Sequence, residues 1–544
     1  MIVGLANLSN TISNVFSNYE LIEDISFSYS QKEEFDVQCN NLIKFSKHED
    51  IKSIETDLSN SLEKEDLIES FEITDTHFIN IRLSNSYLHT YAKFSPNYLS
   101  NNSESILIDY GGPNIGKALH VGHLRTLNIG RSLYNTNKFV GNNIVSDIHF
   151  GDWGMPVAQI LAYMEENDLE IDSLQAADLE QIYPDANKLS ADNKVFYEKA
   201  KNISNELNKK NNKYKNKWTA LYTLSVEEIK KLLTKLGHDF DYFYGESDVV
   251  QETEIVLENA SGNNLTRIDD GALVSTEEVD PPIILVKSDG SYLYLTTDLG
   301  TVYYREQNFS VDKYLYVVDL RQSNHFSQVF STVKYFQLSS KEFFHVSYGT
   351  VNGKDGKPLK TRDGGTYKLE DLLTEVYKQL ELHNKDPEII SCLTNSVLTY
   401  SDLLPNRKIN YQFDIEKFTD INGKTAIYVQ YAQVRARKLI EEGESIHDIQ
   451  DLIDLNAFER DLAVKLTKFT NYISIALDKY EPHHLAEYTY DLAKSFNTFY
   501  TNCKIFAEDV SEEDKQKRIF LVRAFHKTIQ DLFFCLGVTP VKEM

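Results

Sequence analysis

The chain is poor in sulfur, tryptophan and positive charge. Four cysteines (Cys39, Cys392, Cys503, Cys535) are scattered over 544 residues without a CxxC pair, which excludes a disulfide framework and a thiolate zinc knot. They read as buried thiols of a reducing compartment. Lys and Arg total 56 against 82 Asp and Glu, a formal charge of −26, so the whole-chain field repels polyanions and any nucleic-acid contact must use local basic patches. No run of 18 apolar residues occurs, and the opening MIVGLANLSNTISNVF lacks the basic residues and long apolar core of an export signal. A cytoplasmic protein without a membrane partner is expected. Internal repeats and low-complexity linkers are missing too, and 41% hydrophobic with 25% charged residues is the composition of an ordinary globular protein. At roughly 150 residues per domain, the length allows three or four domains.

The order of the pieces is informative. Residues 1–100 are polar and acidic, with apolar spacing that predicts helices at 9–19 and 57–71 and a strand at FINIRL (78–83). This reads as an α+β domain. At SILIDY (105–110) a β-branched run gives way to the turn-rich GGPNIGKAL, then to a helical pattern, then to a second apolar run, NNIVSDIHF (142–150). Strand, turn, helix and strand form a βαβ unit, hence a parallel sheet with a nucleotide site expected at the carboxyl ends of its strands. Long polar helices are predicted over 187–236. Six lysines between 201 and 217 there fit either a solvated helix face or an RNA-facing patch. Sheet-like segments return at 282–300, where SDGS marks a hairpin, and at 313–320 and 343–351. After about 410, amphipathic helices at 423–441, 456–478, 483–508 and 511–536 predict a bundle.

The sharpest chemical feature is Pro113-Asn114-Ile115-Gly116-Lys117-Ala118-Leu119-His120-Val121-Gly122-His123, placed where strand passes into helix. His120 and His123 share one side of the helix start, and Gly122 leaves room for a flat base against the backbone. A helix N-terminus attracts phosphate, and two imidazoles there can donate to an α-phosphate as charge builds on it. Nucleotidyl transfer is the implied chemistry. A second loop, residues 352–365, carries four cations among glycines and suits a flap over a polyphosphate.

With HFGDWGMPVAQI, FDYFYGES, YLYLTTDLG, KPLKTRDGG, TAIYVQYAQVRARKL, the N-terminal FDVQCNNLIKFSK and the ending CLGVTPVKEM, the sequence resembles the class I aminoacyl-tRNA synthetases. Within that class it is most similar to the arginyl-tRNA synthetases. HVGH stands for the family's HIGH signature and the 352–365 loop for its KMSKS loop. The resemblance implies an α/β fold: a doubly wound parallel-sheet (Rossmann-like, HUP) catalytic domain at 101–410 with a helical insertion at about 165–280. It also implies an N-terminal α+β tRNA-binding domain at 1–100 and an all-α anticodon-binding bundle at 411–544.

It further implies ATP at His120, Gly122 and His123, and arginine at Asp109, Asn114, Glu246, Tyr294, Asp298 and Gln322, with the carboxylates of Glu246 and Asp298 holding the guanidinium fork. In the loop, Pro358 and Leu359 stand where Lys and Met are usual. The sequence resembles in this the many family members that lack the standard loop and carry a Lys just before the signature, which implies that Lys117 supplies the charge on ATP phosphate, helped by Lys360 and Arg362. Tyr428, Tyr431, Arg435 and Met544 are the implied tRNA contacts; Gln430 and Arg437 lie on the same helical stretch. Magnesium carried with ATP, no protein metal cage, no structural zinc, tRNA(Arg) as partner and a monomeric state complete the expectation. Another class I synthetase, such as lysyl, and a catalytically silent RNA-binding relative are the alternatives.

Overall fold

The computed structural model describes residues 4–30, 32, 34–93, 103–207, 213–353, 356–357, 359, 367–447, 449 and 452–544. It contains two compact units: 1–101 with 384–400 and 417–544, and 102–383 with 401–416.

The N-terminal part of the first unit contains α1 (Ala6–Ser17), β1 (Phe27–Tyr29), β2 (Val37–Cys39), α2 (Ile51–Leu62), β3 (Ile68–Ile73), β4 (Ile79–Leu83) and α3 (Asn85–Tyr91). Its antiparallel sheet runs β1-β2-β4-β3. Leu8, Ile12, Val15 and Phe16 of α1, and Ile54, Leu58 and Leu62 of α2, are buried, the stripe an amphipathic helix turns to a core. The helix expected over 57–71 is instead the end of α2 followed by β3. A register shift between Ile68 and Ser70 breaks the strand's two-residue alternation, so the segment did not read as a strand.

The second unit opens with β5 (Ser105–Tyr110), α4 (Val121–Phe139) and β6 (Asn143–Asp147), the βαβ unit seen in the sequence. Helices α5 (Met155–Glu166), α6 (Ala176–Asp192), α7 (Lys194–Leu207), α8 (Lys215–Lys235) and α9 (Val250–Gly262) follow. Next come β7 (Thr266–Asp269), β8 (Ala272–Ser275) and β9 (Ile284–Val286), a small antiparallel sheet where the end of a helical insertion was expected. α10 (Tyr294–Asn308), β10 (Lys313–Val317), α11 (Ser323–Tyr335), β11 (Glu342–His345), β12 (Val351–Asn352) and α12 (Leu369–Glu381) complete the run. The SDGS hairpin forms, with Lys287 N–H donating to Ser291 O at 2.9 Å, but its second arm ends at once. YLTTDLG is the start of α10, not a strand.

The main sheet is parallel throughout, in the order β11-β10-β5-β6. Connections from β5 and β10 leave in opposite directions, so the crevice beyond their carboxyl ends is the topological switch point. Thr126 of α4 ties it together: its hydroxyl donates to Val317 O at the end of β10 (2.7 Å) and accepts from Gly111 N–H after β5 (2.9 Å). Gly130 lets α4 lie on the sheet, because a Cβ there would fall 2.2 Å from the Tyr110 ring.

The remainder comprises α13 (Pro387–Leu403), β13 (Tyr411–Gln412), the short α14 (Ile415–Phe418), and helices α15 (Ala426–Glu442), α16 (Ala457–Thr467), α17 (Phe469–Lys479), α18 (His483–Asn502) and α19 (Glu512–Leu536). The single helix expected over 456–478 is the pair α16 and α17, joined at Lys468, whose backbone stays near helical values. Within the first unit, Arg460 of α16 donates to Asp36 Oδ2 (2.7 Å) and Leu83 O (2.8 Å). That buried pair joins the α+β part to the helical part. Among the described residues, no helix is long and apolar enough to cross a membrane.

Candidate active site

The loop after β5 brings the HVGH residues to the switch point. Its register is set by Gly151, whose N–H donates to Pro113 O (3.0 Å) and whose carbonyl accepts from Ile115 N–H (3.2 Å). A Cβ on Gly151 would lie 1.9 Å from Asn114 Oδ1, so the glycine seats Asn114. His120 caps α4, and its N–H donates to His123 Nδ1 at 3.0 Å. The two rings lie 4.0 Å apart. Accepting at Nδ1 places the proton of His123 on Nε2, which is then the donor left for a ligand. Burial first, then the charges of Lys117 and Arg321, lowers His120 to about 4. Burial, then His120 and Lys117, lowers His123 to about 3. Both imidazoles are neutral donors at neutral pH. Gly122 serves a purpose beyond the base contact expected for it: a Cβ there would meet His120 Cε1 at 2.6 Å.

Lys117 is exposed, with Nζ 5.7 Å from the Tyr183 ring centre. Just before α12, Lys368 bridges to His120 of the signature, since Val121 N–H donates to Tyr367 O (3.0 Å) and Leu369 N–H to Leu119 O (2.9 Å). Lys368 is ion-paired with Glu180 of α6. Lys360 and Arg362 lie outside the described residues.

Beside this site lies a cavity of 560 Å³ lined by Trp153, Glu246, Tyr294, Thr297 and His325 among others. Glu246 is partly reached by solvent through the cavity and enclosed by protein elsewhere. That burial, with Asp298 and Asp152 nearby, raises its carboxyl to about 8. Asp152 is fully buried and raised by burial to about 6, although it accepts from Ser247 N–H (2.9 Å) and Ser247 Oγ (2.5 Å). A Cβ on Gly245 would sit 2.6 Å from Asp152 Oδ1, so the glycine of GES admits the carboxylate that positions Ser247. Asp298 reaches the cavity wall through His325, with Nε2 2.6 Å from Oδ2. Tyr294 is 65% exposed at the start of α10, and Gln322 is exposed just before α11. An acidic, partly aromatic cavity of this kind suits a planar cation.

Asp109 is placed differently from the other candidates. Its carboxylate accepts from Arg305 Nη2 at 2.6 Å, and the same nitrogen donates to Asp147 at 2.6 Å. Arg305 is 1% exposed. Burial raises Asp109 despite Arg305, and burial would lower His149 but Asp147 outweighs it and leaves His149 raised. Asp109 is thus part of an interior charge network with Arg305 and Asp147. Arg305, Asp147, His149, Arg321 and His325 were missed in the sequence; the only signal for Asp147 and His149 was their position at the end of the second apolar run.

In the other unit, Thr425 Oγ1 caps α15 by accepting from Tyr428 N–H (3.2 Å). The Arg435 guanidinium lies 4.1 Å from the ring centre of Tyr431 and 4.8 Å from that of Tyr500, and donates to Asn497 Oδ1 at 2.9 Å. Tyr431 is 37% exposed. Tyr428 packs on Tyr490 with centres 5.3 Å apart, and Met544 is exposed at the chain end. Gln430 is fully buried and structural, donating to Thr539 O (2.7 Å) and accepting from Val541 N–H (3.0 Å). Arg437 pairs with Glu441 at 3.3 Å. Among the described residues, Glu481, His483 and His484 bring three possible metal-donor atoms within 4.8 Å; none belongs to the HVGH site.

A parallel sheet with HVGH at its switch point, followed by a helical region, defines the class I synthetase architecture. Family models agree: residues 86–415 match the class I (R) tRNA synthetase catalytic domain, 429–544 the DALR anticodon binding domain, and 5–83 the arginyl-tRNA synthetase N-terminal domain. The arginine–tRNA ligase of Francisella tularensis subsp. novicida is 33% identical over 99% of both chains, and that of Alkaliphilus oremlandii 32% identical over 93% of both. The chain belongs to the arginyl-tRNA synthetase family. In fold it is similar to the arginyl-tRNA synthetases of Plasmodium falciparum (TM-score 0.80, 24% identity) and Thermus thermophilus (TM-score 0.81, 19% identity), each over 99% of both chains.

Proposed function

We propose that the chain is an arginine–tRNA ligase working in two steps. Arginine and ATP give arginyl-adenylate and pyrophosphate, and a ribose hydroxyl at the 3′ end of tRNA(Arg) then attacks the adenylate carbonyl. The reading is carried by one juxtaposition: two neutral imidazoles at the switch point beside a cavity walled by Glu246, with Asp298 behind His325.

In this reading the Nε2–H of His123 and the ring N–H of His120 donate to the α-phosphate as it becomes pentacovalent, a stabilisation greater in the transition state than in bound ATP. Lys117, assisted by Lys360 and Arg362, neutralises the departing pyrophosphate. Glu246 and Asp298 hold the guanidinium, Tyr294 and Gln322 flank the substrate, and Asn114 receives the α-amino end with Asp109 behind it. Magnesium travels with ATP, held by phosphate oxygens and water. Tyr428, Tyr431, Arg435 and Met544 meet the tRNA, and the enzyme acts as a monomer in the cytoplasm.

The test is charging of total tRNA with labelled arginine, ATP and magnesium, run beside lysine and beside pyrophosphate exchange without tRNA. Label in tRNA from arginine alone is expected, with exchange weak until tRNA is added. Binding of tRNA without charging by either amino acid would favour the silent RNA-binding alternative.

A further inference from the structure

Of the residues lining the cavity, His325 makes a direct side-chain contact with a carboxylate, Asp298. It stands in the first turn of α11, 27 positions after Asp298 in the sequence, and its Nε2 meets Asp298 Oδ2 at 2.6 Å. A carboxylate offers only lone pairs, so the proton is on Nε2 and the imidazole donates. The ring is steadied by the edge of Phe326, with centres 5.3 Å apart and planes at 86°.

Resting on the arginine-site reading above, we propose that His325 is a positioning residue for arginine recognition: it fixes the carboxylate of Asp298 so that its second oxygen faces the guanidinium. Two observations support the need for such a residue. Asp298 and His325 are each partly exposed, with side chains 30% and 25% accessible, so packing alone does not lock the acid. Asp298 also shares its surroundings with Glu246, another carboxylate whose ionisation it opposes. A partly exposed acid keeps rotamer freedom in the empty site, and a donor on the far oxygen restricts it. His325 acts through Asp298 and makes no bond to the reacting atoms.

The experiment measures arginine KM and ATP KM by tRNA charging for the full-length protein and for D298N, H325A, H325Q and the D298N/H325A double variant. D298N should raise arginine KM about a hundredfold and H325A about tenfold, the scale of losing charge-assisted hydrogen bonds. ATP KM should not move. Glutamine can donate from a similar place, so H325Q should stay within about threefold of the parent. The double variant should behave as D298N alone, the signature of a residue acting through its partner. If D298N raises arginine KM while H325A does not, or if the two losses multiply in the double variant, the proposal is overturned. An unchanged arginine KM in D298N would remove Asp298 from the arginine site, striking the underlying site reading and this proposal with it.

Discussion

His120 and His123 are joined through the backbone of one and the ring of the other: the N–H of His120 donates to Nδ1 of His123 over 3.0 Å. The second histidine of the signature therefore closes the first turn of α4 and has its tautomer chosen by that bond. His123→Ala should lower adenylate formation about a hundredfold or more, measured as tRNA-dependent pyrophosphate exchange, with little change in tRNA affinity. Loss of the cap should cost about 1 kcal/mol of stability. If the variant lost tRNA binding and kept exchange, the chemical role would be misplaced.

Glu246 predicts a pH signature. Its carboxyl is held at about 8 in the empty site against 4.5 for an unperturbed side chain. Between those values the folded chain keeps a proton that the unfolded chain has released, so this group's contribution makes the unliganded protein less stable as pH rises through the window. Bound arginine favours the ionised form and reverses the trend. Arginine KM should fall as pH rises toward 8 and level off above it, and the thermal midpoint of Glu246→Gln should lose that part of its pH slope. An arginine KM flat from pH 6 to 8 would contradict the assignment.

Arg305 joins Asp109 to Asp147 in the interior of the catalytic unit. Arg305→Met would leave the buried Asp147 and the mostly enclosed Asp109 without their cation, and losses of about 3–5 kcal/mol are usual for such broken pairs. Chemical denaturation should show a lower midpoint, and Arg305→Lys, which keeps the charge on a shorter and more strongly hydrated head, should recover only part of it.

On α15 the Arg435 guanidinium lies between the rings of Tyr431 and Tyr500. If bases stack there, Tyr431→Ala should weaken tRNA binding about tenfold, within the range of base–aromatic stacking, and leave arginine KM and ATP KM unchanged. Filter binding across salt concentrations should also show a steep loss of affinity, because phosphate contacts act by counterion release.

Much of the catalytic fold was legible because it is local. The β5–α4–β6 unit lies within 43 consecutive residues, and the HVGH spacing carries its own chemistry. YLYLTTDLG misled because alternating aromatic and aliphatic residues imitate a strand, whereas Leu295, Leu299 and Val302 bury the helical stripe of α10. The break between α16 and α17 left no trace, since Lys468 remains near helical geometry. Among site residues, Glu246 and Asp298 came through family resemblance, not through any local pattern. Arg305 was invisible because its partners stand 158 and 196 positions away, and no short window can report such a pair.

The Arg460–Asp36 bridge spans 424 positions, so the bend ahead of β2 is sealed by a helix made much later. At ordinary rates of synthesis the α+β part waits roughly 20–80 s for that partner. During this interval Asp36 and the β4 end at Leu83 are without the arginine that later covers them. The α+β part is therefore synthesised well before the helix that completes its surface, and a chain halted before residue 460 lacks that cover.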